Sequence, residues 1–154
     1  MFRPRVIPVL LLSGSGLVKT TNFKNPKYIG DPINAVKVFN NLKADELIFL
    51  DIQSSRKKKE IVSLELIKQI AEEAYMPFSV GGGVNTIKKA NYFINNGAEK
   101  IVINTAAIEN PKFISECVDI FGSQSVVVSI DVKKSIFNNY QVFSHCGSKK
   151  TKLD

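Results

Sequence analysis

Residues 77–104 read PFSVGGGVNTIKKANYFINNGAEKIVIN, and this stretch predicts one complete β-α-β unit. Pro77–Val80 and Lys100–Asn104 are short runs rich in apolar and β-branched residues, which is typical of strands buried on both faces. Asn85 or Thr86 can cap a helix between them, because apolar residues then recur with a helical period. The apolar set of this helix is Ile87, Ala90, Phe93 and Ile94.

The same alternation of apolar runs and helical segments extends in both directions from this unit. The other predicted strands are Val6–Leu12, Glu46–Ile52 and Val126–Val132. The other helices are predicted to begin at Asp31-Pro32, Ser63 and Asn110-Pro111. Their predicted buried faces include Leu42 in the first of these helices and Ile120 in the last. The order β-α-β-α-β-α-β-α-β predicts an α/β fold with a parallel sheet.

Two features of the architecture stay open at this level. Residues 135–145 read as an apolar–turn–apolar hairpin around Asn138-Asn139, which has no counterpart in the repeated units. The spacing of the units is compatible with a barrel and with an open doubly wound sheet.

The composition is that of a globular protein with a core. The 154 residues are 44% apolar and 23% charged, which excludes disorder and collagen. Two cysteines, Cys117 and Cys146, are too few for a disulfide scaffold and favour a reducing, cytoplasmic compartment. The net charge of +7 indicates an anionic partner only if a site for one exists. Val6–Leu12 follows two arginines as in a signal peptide, but the run is short and is better explained as a buried strand.

Several functional classes lack their motifs in this sequence. No Walker loop, no dinucleotide-binding G-x-G-x-x-G and no G-x-S-x-G elbow occurs. His145 and Cys146 are adjacent, but no second pair completes a metal site, so we expect no metal and no cofactor. Aromatic residues do not alternate with basic ones and no apolar run reaches the ~18 residues of a membrane span. We therefore expect neither a nucleic-acid partner nor a membrane partner.

Three charged residues stand at the starts of predicted strands. Side chains alternate between the faces of a strand, so Arg5 points the same way as Leu11, six residues or roughly 20 Å further along. Glu46 begins the second predicted strand and Lys100 begins the fourth. In a barrel with Leu11 inside, Arg5, Glu46 and Lys100 can meet at the amino-end mouth. The alternative is that each charge faces solvent separately.

The glycine run Gly81–Gly83 follows one strand and precedes a helix. Glycines there let backbone N–H groups approach an anion, and a helix N-terminus favours negative charge, so the run predicts a phosphate site. Asn104 and Thr105 end the next strand and can supply further donors. The alternative is that the glycines only satisfy a tight turn with unusual dihedral angles.

Two carboxylates also follow predicted strands. Asp51 ends the second strand and Asp131 ends the fifth. In parallel barrels, polar residues at the carboxyl ends of strands are where catalysis occurs. Each aspartate can instead cap a helix or a turn.

Six segments of the chain carry a family resemblance. They are RVIPVLLL, LVKTTNF, ADELIFLDI, PFSVGGGV, GAEKIVINTAAIENP and FGSQSVVVSIDVK. In order and spacing they resemble the cyclase subunit of imidazole glycerol phosphate synthase, over essentially all 154 residues. The resemblance implies a (β/α)8 barrel that docks onto a glutaminase and passes ammonia through the barrel to a phosphorylated substrate, a phosphoribosyl compound, at the carboxyl face.

The resemblance also implies roles for individual residues. Asp131 maps to one of two aspartates that act as general acid and base, and Lys19 maps to a lysine on a mobile first loop. The residues that map to one of two phosphate sites are Gly82, Gly83, Asn104 and Thr105. The residues that map to three of the four charges of an ammonia gate are Arg5, Glu46 and Lys100.

The second catalytic aspartate of the family falls at Leu11, and leucine cannot transfer a proton. A positioned acid or base is worth roughly 10²–10⁴ in rate, so this departure argues against a working cyclase. It resembles a divergent branch associated with acetamidino modification of surface-polysaccharide sugars, in which a separate enzyme uses the ammonia. The histidine-pathway cyclase, a lyase, is the alternative reading. A second alternative is an inactive fragment or interaction module.

The length bears on the expected architecture. A complete barrel of this kind has about 250 residues, whereas 154 residues hold four βα units, a fifth strand and a hairpin. We therefore expect residues 1–154 to be a single N-terminal portion, a half-barrel. Such a portion exposes a sheet edge at its fifth strand, so we expect it to dimerise, to aggregate or to need its missing half.

Overall fold

The computed structural model describes residues 4–21, 23–53, 63–134 and 138–153 and has an α/β architecture. The strands of its main sheet are β1 (Val9–Ser13), β2 (Gly16–Thr21), β3 (Lys24–Gly30), β4 (Leu47–Asp51), β5 (Phe78–Gly81), β6 (Lys100–Ile103) and β7 (Val126–Val128). Their order in the sheet is β3-β2-β1-β4-β5-β6-β7. β1 pairs with β4, β4 with β5, β5 with β6 and β6 with β7, and all four pairings are parallel. The predicted α/β class with a parallel sheet is therefore confirmed.

Five α-helices lie between the strands in the described part of the chain. They are α1 (Pro32–Asn41), α2 (Leu64–Glu73), α3 (Ile87–Ile94), α4 (Thr105–Glu109) and α5 (Lys112–Phe121). The side chains of Asp31, Ser63 and Thr86 each accept a hydrogen bond from the backbone N–H three residues later, which confirms three predicted helix starts. Thr86 rather than Asn85 is therefore the cap of α3.

The core lies between the parallel strands and the helices. Phe49, Val80 and Ile101 on adjacent strands are completely buried, as are Ile67 and Phe93 on the covering helices. Burial of each such side chain contributes about 1.5–3 kcal/mol. Because strand residues alternate between faces, the intervening residues of the same strands point away from the helices and are available to build a site.

The sheet is not closed into a barrel in the described part of the chain. β3 lies at one end of the strand order and β7 at the other. β7 thus has the position of the expected open edge. None of the described helices is long and apolar enough to cross a membrane.

The predicted strand Val126–Val132 is wrong in its second half. β7 ends at Val128, and a separate antiparallel sheet follows. Its strands are β8 (Asp131–Lys134), β9 (Tyr140–Ser144) and β10 (Lys149–Lys150). Pairing of Asp131 with Phe143 draws the chain away from β6. The predicted hairpin is confirmed as β8–β9, although its first arm starts earlier and residues 135–137 lie outside the described residues.

Two residues predicted on buried helix faces are instead exposed. Leu42 is 68% exposed because it follows the last residue of α1, where the helical period no longer holds. Ile120 is 55% exposed in the last turn of α5, and Phe121 packs against the core in its place.

The β2–β3 hairpin and the short helix α4 were not indicated by the sequence pattern. β3 reads KNPKYIG, and six of its seven residues are exposed, so it has no apolar alternation to detect. Its position comes from antiparallel pairing with β2, which in turn pairs with β1.

Candidate functional site

A cavity of about 560 Å³ opens at the carboxyl ends of the parallel strands. Segments distant in sequence contribute to it because the carboxyl ends of parallel strands meet at one edge of the sheet. The sequence-predicted residues that line it are Asp51, Gly82, Gly83, Asn104, Thr105 and Asp131. The structure therefore brings the predicted phosphate residues and one predicted catalytic aspartate together.

The glycine turn after β5 forms one wall of the cavity. Gly82 has a φ of +116° and Gly83 a φ of +65°, both in the region that favours glycine. A Cβ atom on Gly82 would lie 2.4 Å from the carbonyl oxygen of Asp51. The steric reading of this turn is therefore correct, and it is compatible with anion binding because both glycines line the cavity.

A second wall is held by hydrogen bonds between Asn104, Thr105 and the segments beside them. Asn104 Nδ2 donates to the carbonyl oxygen of Ser129 at 3.0 Å. Thr105 Oγ1 donates to Asn104 Oδ1 at 3.3 Å and accepts from the backbone N–H of His145 at 3.1 Å. These bonds connect the ends of β6, β7 and β9, so both side chains are positioned by the protein itself.

Titratable side chains stand around the same cavity. Asp131 is half-buried at the start of β8, and His145 and Cys146 line the cavity from the turn after β9. His145 Nε2 lies 3.6 Å from Glu109 Oε1 in α4. The cavity thus holds a carboxylate and an imidazole that can exchange protons with a ligand. No group of three His, Cys, Asp or Glu residues in the described part of the chain could hold a metal ion.

The floor of the cavity is apolar. Leu11, Leu50 and Val102 line it, and they lie at one level of the sheet because the strand pairings connect them across Gly81. A Cβ atom on Gly81 would lie 2.8 Å from both Leu50 Cδ2 and Val102 Cβ, so the two side chains fill that space. An aliphatic side chain therefore occupies the β1 position of the floor.

A cluster of charges lies at the amino ends of the same strands. Glu46 is only 4% exposed, and its Oε1 accepts hydrogen bonds from Ser79 Oγ at 2.8 Å and Lys100 Nζ at 3.0 Å. An Arg5 guanidinium nitrogen lies 3.9 Å from Glu46 Oε2. The structure thus brings together Arg5, Glu46 and Lys100, which strand parity allows and the family resemblance favours. The alternative prediction, that each charge faces solvent separately, is wrong for Glu46 and Lys100, because their side chains are largely buried against each other.

The two ion pairs of this cluster differ in burial. Moving a carboxylate and an ammonium out of water costs several kcal/mol per ion, which is offset only by good geometry and additional hydrogen bonds. The Glu46–Lys100 pair has both, since Ser79 donates a further hydrogen bond. The side chain of Arg5 is 69% exposed, so its pair with Glu46 contributes at most about 1 kcal/mol.

The charge cluster and the cavity lie at opposite ends of one set of strands. Along β6 and the residue that follows it, Lys100 belongs to the cluster, Val102 to the floor and Asn104 to the cavity wall. Alternate residues share a face, and four residues of strand span roughly 13 Å. One face of the sheet therefore has a charged end, an apolar middle and a polar end.

A family model described as histidine biosynthesis protein matches residues 5–154. The chain belongs to the histidine biosynthesis protein family. The matched range contains both the charge cluster and the residues that line the cavity.

Curated relatives carry the names of imidazole glycerol phosphate synthase subunits. A Leptospira borgpetersenii protein, provisionally named subunit HisF, is 51% identical over 98% of this chain and 59% of its own length. A Pseudomonas aeruginosa protein, provisionally named subunit hisF2, is 49% identical over 99% of this chain and 60% of its own length. The subunit HisF of Pyrococcus furiosus is 42% identical over 100% of this chain and 61% of its own length. The chain thus spans about three-fifths of the length of these relatives.

Within this member of the family, Lys19 stands apart from the other predicted site residues. The segment that the resemblance implied to be a first loop forms the β2–β3 hairpin. Lys19 is exposed and faces Lys27 across the hairpin, and it does not line the cavity. Thr20 and Phe23 of the same hairpin line the cavity instead.

Four titratable side chains of the cavity were not predicted as site residues: Lys89, Glu109, His145 and Cys146. For Lys89 a signal existed, because a helix that begins directly after the glycine turn brings its first turn close to that turn. Lys89 Nζ donates a hydrogen bond to the carbonyl oxygen of Gly83 at 3.0 Å. The others come from α4 and the turn after β9, and nothing in their spacing indicates that they approach the cavity.

Proposed function

We propose that this chain belongs to an ammonia-using subunit of the imidazole glycerol phosphate synthase type that works with a glutaminase partner. The observation that carries the proposal is the buried Glu46–Lys100 pair at one end of the strands and the polar cavity at the other. Membership of the histidine biosynthesis protein family and the names of the curated relatives support it.

In this proposal the charge cluster is the entrance for ammonia. Ammonia released by a glutaminase would pass Arg5, Glu46 and Lys100 and then cross the apolar floor beside Leu11. A neutral ammonia molecule crosses such a layer more easily than ammonium, because burying an isolated charge is costly. The hydrogen bond between Lys100 Nζ and Glu46 Oε1 has to open for passage, which makes this bond the gate.

The cavity is the proposed site of the phosphorylated partner molecule. Gly82 and Gly83 would present backbone N–H groups to a phosphate, and Asn104 and Thr105 would complete its shell. Asp131, which lines the same cavity, would exchange protons with the bound molecule.

We favour the surface-polysaccharide branch, in which a separate enzyme uses the ammonia to modify sugars with acetamidino groups. Leu11 in the cavity floor supports this reading, because a two-carboxylate cyclase needs an aspartate there. The relatives with provisional names, hisF2 and hisF3 among them, are 47–51% identical to the chain. Those named HisF without reservation are 38–42% identical, so the chain is more similar to the relatives with provisional names.

A histidine-pathway cyclase is the second candidate. The observation that favours it is that Asp131 and all four predicted phosphate residues line one cavity. Ammonia-dependent cyclisation of the family's phosphoribosyl substrate distinguishes the two candidates. We expect no turnover by the wild-type chain, and turnover at the rate of an ordinary family member would contradict the branch that we favour.

The partnership is tested by glutaminase activity of the amidotransferase with and without this chain. We expect stimulation by the wild type and by Glu99→Gln, which alters an exposed carboxylate 3.7 Å from Lys100 Nζ. We expect Glu46→Gln to stimulate glutamine hydrolysis while ammonia escapes to solvent, because the gate carries one charge less. Absence of stimulation by the wild type would contradict the ammonia-delivery role.

We also propose that residues 1–154 form one part of a barrel, with β7 as an edge. The unclosed sheet and the greater length of the relatives support this. Val128 at the end of this strand is 41% exposed, so we expect self-association through the edge. Sedimentation velocity should show species larger than a monomer, and fewer of them for Val128→Lys. A monodisperse, cooperatively unfolding monomer would refute the proposal.

A further inference from the structure

The ammonium group of Lys89 has no role in the function proposed so far. Lys89 is half-buried in the wall of the cavity that Gly82, Gly83 and Asn104 also line. Its Nζ donates to the carbonyl oxygen of Gly83 at 3.0 Å, and its backbone N–H donates to Thr86 Oγ1 at 3.3 Å. The backbone of Lys89 and the end of its side chain are therefore both held, and the charge lies at the glycine turn.

Lys89 differs from the other partly buried cation of the described strands and helices, Lys100. The ammonium of Lys100 is neutralised by the Glu46 carboxylate, whereas no described carboxylate forms an ion pair with Lys89. A carbonyl oxygen satisfies one hydrogen bond but leaves the positive charge uncompensated. A cation that is partly removed from water is stabilised by an anion, and the cavity is the space in which one can bind.

We propose that Lys89 is the charged ligand of a phosphate dianion bound between the glycine turn and Asn104–Thr105. This rests on the proposed phosphate-binding role of the cavity and adds the residue that makes the site select a doubly charged group. An ammonium has three N–H donors, and the bond to Gly83 uses one of them, so two remain for phosphate oxygens. The ligand class is a phosphate monoester or a molecule with a terminal phosphate.

The chain offers a matched control for this residue. Lys88 is adjacent in the same helical turn but is exposed and does not line the cavity. Lys88→Met and Lys89→Met change the net charge of the chain by the same amount. A difference between them therefore reports the position of the charge and not the general electrostatic field of a chain with a net charge of +7.

The test is a titration of the ¹⁵N-labelled chain with inorganic phosphate, followed by NMR at the amides of Gly82 and Gly83. We expect saturable shifts at these amides in the wild type. Loss of a charge-assisted hydrogen bond should raise the Kd of Lys89→Met about 10- to 100-fold. Lys88→Met should stay within about twofold of the wild type, and Lys89→Arg should retain most of the affinity, since only position and charge matter here.

An unchanged Kd in Lys89→Met would overturn the proposal. If that variant does not fold, Lys89→Gln serves instead, because its amide can still donate to Gly83 and only the charge is lost; wild-type affinity of Lys89→Gln would equally overturn it. Phosphate binding that does not depend on Lys89 would contradict the role of Lys89 but not the proposed phosphate site. A wild type without shifts at Gly82 and Gly83 contradicts the phosphate site itself, while glutaminase stimulation still reports separately on the ammonia role.

Discussion

The two ends of the parallel strands differ in how far their charges are compensated within the protein. At the amino end, Glu46 is buried and receives hydrogen bonds from both Ser79 and Lys100. At the carboxyl end, Lys89 and Asp131 are half-buried in the wall of an open cavity. The amino end is a closed cluster and the carboxyl end is an open site, although both are built from the same strands.

This difference has an energetic consequence. Removing one member of a buried ion pair leaves the other charge unpaired in a poorly solvated place, which is costly. A polar side chain in an open cavity keeps contact with water, so its removal costs less stability and affects ligand binding instead. Substitutions at the amino end should therefore affect mainly the free energy of unfolding, and substitutions of cavity side chains mainly affinity.

The largest effect is expected at Glu46. Glu46→Leu leaves Lys100, whose side chain is 17% exposed, without its nearest carboxylate, and should lower the free energy of unfolding by about 3 kcal/mol or more. Urea denaturation measures this. The matched control Glu99→Leu, at a carboxylate that is 56% exposed, should stay within about 0.5 kcal/mol of the wild type. Similar losses in the two variants would show that the amino-end cluster is not specifically buried.

A smaller loss is expected at the glycine turn, where the backbone and not a charge is constrained. Gly82→Ala places a Cβ atom 2.4 Å from the carbonyl oxygen of Asp51 at a φ of +116°, and should cost about 2–3 kcal/mol. Gly14→Ala is the control, because Gly14 also has a positive φ of +66° but open space around its Cβ position, and should cost about 1 kcal/mol. Equal thermal unfolding midpoints for the two variants would contradict this contrast.

The two cysteines also differ in burial, and the buried one, Cys117, should make the stability of the chain depend on pH. Burial, together with the nearby Glu116 carboxylate, raises the pKa of the Cys117 thiol above its usual 9.0. Because the folded pKa is raised, the folded state disfavours the thiolate. The corresponding stability is complete below the unfolded pKa and is lost as the pH rises through the folded pKa. The free energy of unfolding should therefore decline above about pH 9.

Reaction with a thiol reagent checks the same contrast at constant pH. Cys146 in the cavity wall should react at least about tenfold faster than buried Cys117, since reactivity follows thiolate fraction and access. The single variants Cys117→Ala and Cys146→Ala assign the two phases. A Cys146→Ala variant that still reacts at the fast rate would contradict the assignment, and a stability that is equally pH-sensitive in Cys117→Ala would contradict the role of Cys117.

The smallest effect is expected at Arg5, which is the exposed member of the charge cluster. Arg5 is 3.9 Å from Glu46 Oε2 and its side chain is mostly exposed, so Arg5→Met should change the free energy of unfolding by about 0.5 kcal/mol or less. The comparison with Glu46→Leu in the same urea experiment is the measurement. A loss as large as that of Glu46→Leu would mean that Arg5 is an equal member of the buried pair.

Much of this arrangement follows from local rules that a sequence contains. Alternation of side chains along strands allowed Arg5, Glu46 and Lys100 to meet but left separate exposure to solvent open, and the family resemblance favoured the meeting. The cap residues and the glycine turn were predictable because their geometry depends on a few neighbouring residues. The roles of these residues in ammonia passage and phosphate binding stay predictions.

The remaining features depend on contacts between segments far apart in the chain. The split of the last predicted strand follows from pairing of Asp131 with Phe143, and the apolar run Val126–Val132 contains no sign of it. Lys19 was expected near the site, but the cross-strand register of its hairpin puts it opposite Lys27. His145 approaches Thr105 across 40 residues, which no periodicity can indicate.

The sequence by itself determined the repeated βα units, the helix starts, the glycine turn and the row of charges at the strand starts, because each depends on residues a few positions apart. Only the tertiary structure decided that Glu46 is buried with Ser79 and Lys100, that Leu11 joins Leu50 and Val102 in an apolar floor, and that Lys89 borders the cavity. Burial and charge compensation are properties of how segments pack together, and therefore they emerge only when the sheet has assembled.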